Sequence, residues 1–259
     1  MFPSFMISKL EIPFYGLFCV AGTGLAIAVV VMRSKVTLIP KDDILYAALY
    51  SAIGVVAGGK LLYLLIDLPK IVEAFPRFTE DPSLIFVYLR GGFVYYGALG
   101  GVIVGLYIYC RRYRSRFLPM LDNCVVGVPL AHALGRIGCL SAGCCYGREY
   151  HGIGHIVFGS RGLAPAGVPL FPSQIVESAL NIILFAALFI YARRIRPTGR
   201  VTGVYLLSYA VIRFTLEFFR GDAERGFFLG ISTSQLISIL LLPIGMWLIF
   251  ANKSKKIQA

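Results

Sequence analysis

Apolar positions in this chain run rather than alternate. Segments that are apolar along most of their length lie at about 13–32, 43–66, 91–110, 119–138, 174–192, 201–219 and 232–251. Each is close to the roughly 20 residues that an α-helix needs to cross a bilayer. The pattern therefore predicts seven transmembrane helices. The fourth is the weakest, interrupted by Pro129, His132 and Arg136. Two longer polar stretches separate these runs. Residues 67–90 carry Pro69, Pro76, Pro82 and mixed charges, and residues 139–173 carry cysteines, His151, His155 and several glycines and prolines. Neither shows a clear period, which predicts loop elements of the kind that bind ligands or form small lids. GHIVFG at 154–159 reads as a short strand. No internal repeat and no low-complexity tract is visible.

Composition agrees. Of 259 residues, 58% are hydrophobic and 15% charged, with a mean hydropathy of +0.77. A soluble domain carries about 25% charged residues. The expectation is an all-α polytopic membrane protein, one domain over 1–259, with a small subdomain built from the loops at 67–90 and 139–173. The net charge of +12 would suit nucleic acid if it were clustered. Here the basic residues are dispersed between apolar runs, so topology explains them better and no nucleic-acid partner is expected.

Basic residues in alternate loops set orientation. One side holds Arg33, Lys35, Lys41, Arg111, Arg112, Arg114, Arg116, Arg193, Arg194, Arg196, Arg200, Lys253, Lys255 and Lys256. The other holds Lys9, Lys70, Arg77, Arg90, Arg148, Arg161, Arg220 and Arg225. Fourteen against eight, with the richer loops also the shorter, predicts the N-terminus outside and the C-terminus, with its basic tail NKSKKIQA, in the cytoplasm. The first apolar run lacks a basic n-region and a small-residue cleavage site, so it is expected to stay in the membrane. A bacterial plasma membrane follows, with loops 67–90 and 139–173 on the outer, periplasmic or extracellular side.

Three basic residues, Lys60, Arg136 and Arg213, lie inside apolar runs. Charge at membrane depth is costly and marks a functional site by default. The densest stretch is His132 to Tyr150, HALGRIGCLSAGCCYGREY, where Arg136 stands among Gly135, Gly138, Gly143, Gly147 and the thiols of Cys139, Cys144 and Cys145. The bland alternative is an arginine snorkelling to lipid phosphate beside close-packing glycines. In YLLSYAVIRFTLEFFRGD, Arg213 and Glu217 are spaced to share a helix face, with Arg220 one turn further on that face. Such a pair can be purely structural; alternatively Arg136 and Arg213 meet in a pocket and grip a phosphate, for which guanidinium forks are well shaped. Lys60 either snorkels or joins that pocket. RGGFVYYGALGG opens the third helix; Gly91, Gly92, Gly97, Gly100 and Gly101 give it a thin face for close helix contact. Tyr95 and Tyr96 sit where tyrosines commonly form an interfacial belt. His132, alone in apolar sequence, reads as a hydrogen-bonded packing residue.

Several segments, in order, resemble the prolipoprotein diacylglyceryl transferase family. Gly135-Arg136-Ile137-Gly138 and Gly147-Arg148 stand in the frame of its GR-x-G-N-F-x-N-x-E-x-x-G motif. FYGLF (14–18), AGGKLLYLL (57–65), RGGFVYYGALGG, FPSQIVES (171–178) and RFTLEFFR (213–220) are similar to its other signature segments. The resemblance implies transfer of a diacylglyceryl group from phosphatidylglycerol to the lipobox cysteine thiol of a prolipoprotein signal peptide, releasing glycerol phosphate, with no cofactor and no metal. It further implies that Arg136 and Arg213 hold the phosphate, that Glu217 orients Arg213, that Gln174 and Glu177 line or brace the cavity, and that Tyr15 contacts lipid or the pocket wall. Lys60, Gly97, Cys139, Cys144, Gly147 and Arg220 join as substrate-binding positions, and Tyr96 joins Arg136, Arg213 and Glu217 in the catalytic set. The departures concern the proton. The family histidine is Tyr96 here, a poor base at neutral pH; the first motif asparagine is Cys139, the second is Ala142, and the glutamate is Cys144.

The cysteines leave other roles open. C-x4-C-C with His151 and His155 nearby offers thiol and imidazole ligands but lacks the two-plus-two spacing of a zinc site. A disulfide from Cys139 to Cys144 or Cys145, inert thiols, or a catalytic thiol are the alternatives, and Cys19, Cys110 and Cys124 read as buried small hydrophobes. A membrane thiol oxidoreductase built on Cys139, Cys144 and Cys145, and a non-catalytic phospholipid-binding protein, are the competing functions.

Overall fold

The computed structural model describes residues 4–7, 10–78, 81, 83–160, 162–222, 226–228 and 230–251; the side chains of 5–11, 77–78, 85, 87, 89–90 and 227–228 are outside that description. Lys9, Arg161, Arg225 and the basic tail with Lys253, Lys255 and Lys256 fall outside the described residues, as do the side chains of Arg77 and Arg90. The chain divides into two compact units, residues 39–120 and residues 1–38 with 121–259.

The larger unit begins with a hairpin, β1 (Ser4–Ile7) and β2 (Leu10–Pro13), followed by α1 (Phe14–Met32) and the single turn α2 (Ser34–Thr37). In the smaller unit follow α3 (Lys41–Ile66), α4 (Leu68–Phe78), α5 (Ser83–Arg90) and α6 (Tyr95–Arg112). Helix α7 (Phe117–Cys124) leads back into the larger unit, which continues with α8 (Val128–Ala142), β3 (Ile156–Val157), β4 (Pro169–Leu170), α9 (Ser173–Tyr191), α10 (Arg200–Glu217), β5 (Phe227–Phe228), β6 (Ile231–Ser232) and α11 (Thr233–Phe250).

Every predicted apolar run is helical over most of its length. Among the described residues, four helical stretches are long and apolar enough to cross a membrane: Phe14–Thr37, Lys41–Ile66, Ser173–Tyr191 and Thr233–Phe250; α7 with α8 makes a fifth if the bent pair is one span. Helix α6, with Arg111, Arg112 and several tyrosines, and α10, with Arg200, Arg213 and Glu217, are less apolar. The expected continuous fourth helix is broken: α7 and α8 meet at 44°. The break has a steric cause. A Cβ on Gly127 would stand 2.8 Å from the Ala26 carbonyl oxygen, so α1 approaches the chain there. Pro129 then opens α8, where its missing N–H leaves no helical bond unmade.

The stretch 67–90 departs from its expectation. Most of it is helical, as α4 and α5. Both helices are short, and α4 carries Pro69 and Pro76, so neither shows an apolar run of spanning length and the stretch reads as loop in sequence. The strand expected at 154–159 is β3, paired antiparallel with β4.

Glycine contacts build the smaller unit. A Cβ on Gly101 would lie 1.9 Å from the Gly54 carbonyl oxygen, one on Gly97 2.3 Å from that of Gly58, and one on Gly105 2.3 Å from that of Tyr50. Small residues one turn apart thus let α3 and α6 touch backbone to backbone. Gly100 faces open space, so the thin face predicted for α6 comprises Gly97, Gly101 and Gly105. In the larger unit Gly22 lies against Ala131 and Gly203 against Gly245, bringing α1 to α8 and α10 to α11 by the same means.

Buried polar groups pin the larger unit at one end. Asp122 on α7 accepts from Gly199 N at 2.5 Å, Thr202 N at 2.8 Å and Thr202 Oγ1 at 2.6 Å. It therefore satisfies orphan N–H groups of the first turn of α10, which has no side-chain cap of its own. Arg33 donates from Nε to Asn123 Oδ1 at 3.2 Å and from Nη1 to the Ala192 carbonyl at 2.8 Å, tying α1 to α7 and to the end of α9.

Candidate active site

Three helices of the larger unit bring together charge that the sequence scatters. Arg136, in the middle of α8, reaches the carboxylate of Glu177 on α9, Nη2 to Oε1, at 3.0 Å. Its Nε donates to His132 Nε2 at 3.2 Å, one turn earlier on the same helix. His132 Nε2 in turn lies 3.3 Å from Glu177 Oε1, and its ring leans on Tyr209 of α10 with centroids 5.6 Å apart. Glu177 is buried at 2% exposure. A carboxylate at that depth stays ionised only because cations answer it.

Arg213 and Glu217 form the second pair, 2.8 Å apart across one turn of α10. Arg213 Nη2 also donates to Ser234 Oγ on α11 at 2.8 Å. Its Nη1 is buried without a hydrogen-bond partner among the described residues. The two pairs are not independent, because Glu177 lies within electrostatic reach of Arg213 as well as Arg136.

The chain beyond α8 folds back over the helix end. Gly143 caps α8 in the left-handed region at φ 72°, which favours glycine. Cys145 also sits there, at φ 56°. This double reversal returns Cys144 and Cys145 to the last turn of α8, with Cys144 N donating to the Cys139 carbonyl at 3.1 Å. The thiol sulfurs of Cys139, Cys144 and Cys145 all lie within 4.8 Å of one another. Two side chains at the start of α9 fasten the turn: Gln174 Nε2 donates to the Cys144 carbonyl and Ser173 Oγ to the Cys145 carbonyl, each at 2.9 Å. Both are almost fully buried. Hydrogen bonds from Cys139 and Cys144 pull the Cys145 thiol below the usual range, and the Arg136 and Arg220 charges add to this.

Next along the chain, Gly147 bridges to Arg220. A Cβ on Gly147 would come within 2.3 Å of the Phe171 carbonyl oxygen, so no larger residue fits. Arg220 is not on the Arg213–Glu217 face as expected. Helix α10 ends at Glu217, the chain leaves to make the Gly147 bridge, and the Arg220 guanidinium pairs in a fork with Asp222, Nε to Oδ1 at 2.8 Å and Nη2 to Oδ2. Tyr15 on α1 is 46% exposed; Gly138 of α8 packs against its backbone and ring.

The remaining candidates belong to the smaller unit. Tyr96 is 40% exposed and makes an edge contact with Tyr95, centroids 5.7 Å apart. Gly97 serves the α3–α6 contact. Lys60 neither snorkels into open surroundings nor stands free: Nζ donates to the Tyr88 carbonyl at 2.7 Å and to that of Gly91, and lies 4.7 Å from the Tyr63 ring centroid. A cation on the last carbonyls of α5 is a helix C-terminal cap.

Sequence reasoning sets His132 aside as packing. Its spacing of four from Arg136 is the available signal, since i and i+4 share a helix face. Ser173, Ser234 and Asp222 carry no such signal. His151 and His155 do not join the thiols: His151 pairs with Glu149 at 3.1 Å and His155 with the Gly152 carbonyl at 3.1 Å, both exposed. All six cysteines are free thiols, so of the alternatives open to Cys139 the disulfide is not formed.

Known proteins resemble this chain over most of its length. The family model described as prolipoprotein diacylglyceryl transferase matches residues 3–251. A phosphatidylglycerol–prolipoprotein diacylglyceryl transferase of Clostridium tetani is 36% identical over 252 residues, covering 97% of this chain and 98% of the relative. Its namesake numbered 2 in Clostridium perfringens is 38% identical over 215 residues, covering 83% and 81%. The Pseudoalteromonas atlantica transferase of that name is 32% identical over 260 residues, covering 96% and 89%.

Proposed function

This chain belongs to the prolipoprotein diacylglyceryl transferase family, and we propose that it transfers the diacylglyceryl group of phosphatidylglycerol to a cysteine thiol in the lipobox of a prolipoprotein. The observation that carries the site assignment is the pair of buried guanidinium groups, each steadied by a carboxylate, with Arg213 Nη1 left without a partner among the described residues. An unpaired buried donor costs about 1–3 kcal/mol. An incoming phosphodiester oxygen would relieve that cost.

In this reading the acceptor sulfur attacks the glyceryl carbon that carries the phosphate ester. The C–O bond breaks with its electron pair on the phosphate oxygen, and glycerol phosphate leaves. Charge grows on that oxygen, where preorganised donors act most strongly. Arg136 and Arg213 supply them. Glu177 and Glu217 hold the two forks in place, His132 fixes Arg136 at Nε, and Gln174 braces the turn after α8. Tyr15 meets lipid at the edge of α1. Gly147 and Arg220 shape the surroundings rather than the reacting atoms. Seven spans, an outer N-terminus, a cytoplasmic C-terminus and a bacterial inner-membrane location complete the proposal. The seven helical runs and the basic-residue asymmetry support them, with 67–90 and 139–173 as outer elements of one membrane domain.

Complementation tests it. A strain depleted of its own diacylglyceryl transferase should regain growth and lipid-modified lipoproteins when this chain is expressed. Arg136→Ala, accumulating to the same level, should not restore either. Full rescue by Arg136→Ala would remove the phosphate clamp.

A further inference from the structure

The transfer reaction needs a thiolate as well as a held phosphate, and the arginine network serves only the leaving group. Resting on that transferase reading, we propose that Cys139, Cys144 and Cys145 bind one zinc ion whose open fourth position takes the acceptor cysteine as thiolate.

The geometry suits that ion. Sulfurs bound to one zinc at about 2.3 Å in a tetrahedron stand about 3.8 Å apart. The three here already lie within 4.8 Å of one another, so closure requires rotamer shifts rather than backbone movement. The backbone is held for the purpose by Gln174 on the Cys144 carbonyl, Ser173 on the Cys145 carbonyl and the Cys144 N–H on the Cys139 carbonyl. Three protein ligands with a vacant fourth position are the mark of a catalytic rather than a structural zinc site. Cys139 is buried, while Cys144 and Cys145 are only partly so, which leaves one side of the triad open to an incoming ligand. His151 and His155 are committed elsewhere.

Charge also fits. Three thiolates on a divalent ion carry one net negative charge, and a fourth thiolate makes two. Arg136 and Arg220 both lie within electrostatic reach of the triad. A thiolate on so electron-rich an ion remains nucleophilic, while coordination alone removes its proton at neutral pH. The step balances. The acceptor thiol binds zinc and gives its proton to water. Its sulfur lone pair then forms the C–S bond as the C–O bond to phosphate breaks, and glycerol phosphate carries away the electron pair. The thioether formed is a weak ligand and leaves the ion, which neither gains nor loses an electron. The metal thus supplies what a side-chain base would supply elsewhere.

The test uses the full-length protein in detergent. Zinc content after equilibration with a competing chelator should be one ion per chain. It should fall to background in Cys144→Ser and in Cys139→Ser, and persist in Cys19→Ser. Melting curves identify any variant that fails to fold, and chelator-stripped wild type provides a metal-free sample without substitution. Cobalt in place of zinc should show thiolate charge-transfer absorption that changes when a lipobox peptide is added, and not when its cysteine is serine. Stripping should abolish transfer, and zinc should restore it. Substoichiometric metal, zinc retained in the serine variants, or a cobalt spectrum indifferent to the peptide thiol would each overturn the proposal. Undiminished transfer by stripped enzyme would overturn it while leaving the transferase reading intact. Stoichiometric zinc in a chain that fails to complement would instead remove the transferase reading, and the activation role with it.

Discussion

Replacing Arg213 by lysine separates charge from shape. The guanidinium places Nη2 on both Glu217 and Ser234, at 2.8 Å each, and leaves Nη1 without a partner among the described residues. An ammonium is a point donor on a flexible stem. Held by Glu217 and Ser234, it cannot also extend a second nitrogen toward a phosphate. The variant therefore keeps the ion pair and its contribution to folding but loses one charge-assisted hydrogen bond to the substrate. Such bonds contribute about 1.5–3 kcal/mol. At about 1.36 kcal/mol per decade, Arg213→Lys should lower kcat/KM by about 10- to 150-fold. Because charge on the leaving oxygen grows along the reaction, the loss should fall mainly on kcat. The assay is transfer from radiolabelled phosphatidylglycerol in mixed micelles to a lipobox peptide, with melting temperature measured alongside. Wild-type kcat/KM in a lysine variant of wild-type stability would refute the assignment of Nη1 to phosphate.

Two further expectations concern the scaffold. Asp122→Ala removes three hydrogen bonds to the start of α10 and should cost about 1–3 kcal/mol, visible as a lower melting temperature in detergent with transfer retained in the cold; an unchanged melting temperature would show that the cap is dispensable. Gly101→Ala puts a methyl within 1.9 Å of the Gly54 carbonyl oxygen, whereas Gly100→Ala meets nothing within 4 Å, so the first should sharply reduce the yield of folded protein and the second should not. Equal yields would show that α3 and α6 need no close approach.

Features legible in the sequence are the local ones. Apolar runs announce helices because length and composition suffice, and Arg136 and Arg213 stand out because charge in such runs is expensive. The bend before α8 is half visible in Pro129, but its cause, the approach of Ala26 to Gly127, is tertiary. Glu177 can be suspected as a polar residue in an apolar helix, yet its pairing with Arg136 and His132 depends on how α8 meets α9. The thiol triad is the least legible. Spacing along the chain leaves open whether the three cysteines join His151 and His155 downstream or Cys139 pairs with Cys144 or Cys145; two left-handed residues, Gly143 and Cys145, decide it by turning Cys144 and Cys145 back upon Cys139. The second of these is a non-glycine residue, and nothing in its identity forecasts a positive φ.

The charge count of the arginine network bears on how the lipid is recognised. Arg136 and Arg213 are matched by Glu177 and Glu217, so these four groups together carry no net charge. Long-range attraction is then not what brings a phosphodiester to these donors. Directed N–H groups left over after the carboxylates are served must do it: each guanidinium has five, and Glu177, His132, Glu217 and Ser234 use only some of them. Buried pairs are screened little by salt, while exposed basic patches lose much of their pull as the Debye length shrinks from about 30 Å at 0.01 M to about 10 Å at 0.1 M. At a fixed mole fraction of phosphatidylglycerol in neutral detergent micelles, the apparent KM should therefore change less than about twofold across that range. A tenfold rise would mean that exposed basic residues, and not the buried forks, capture the headgroup.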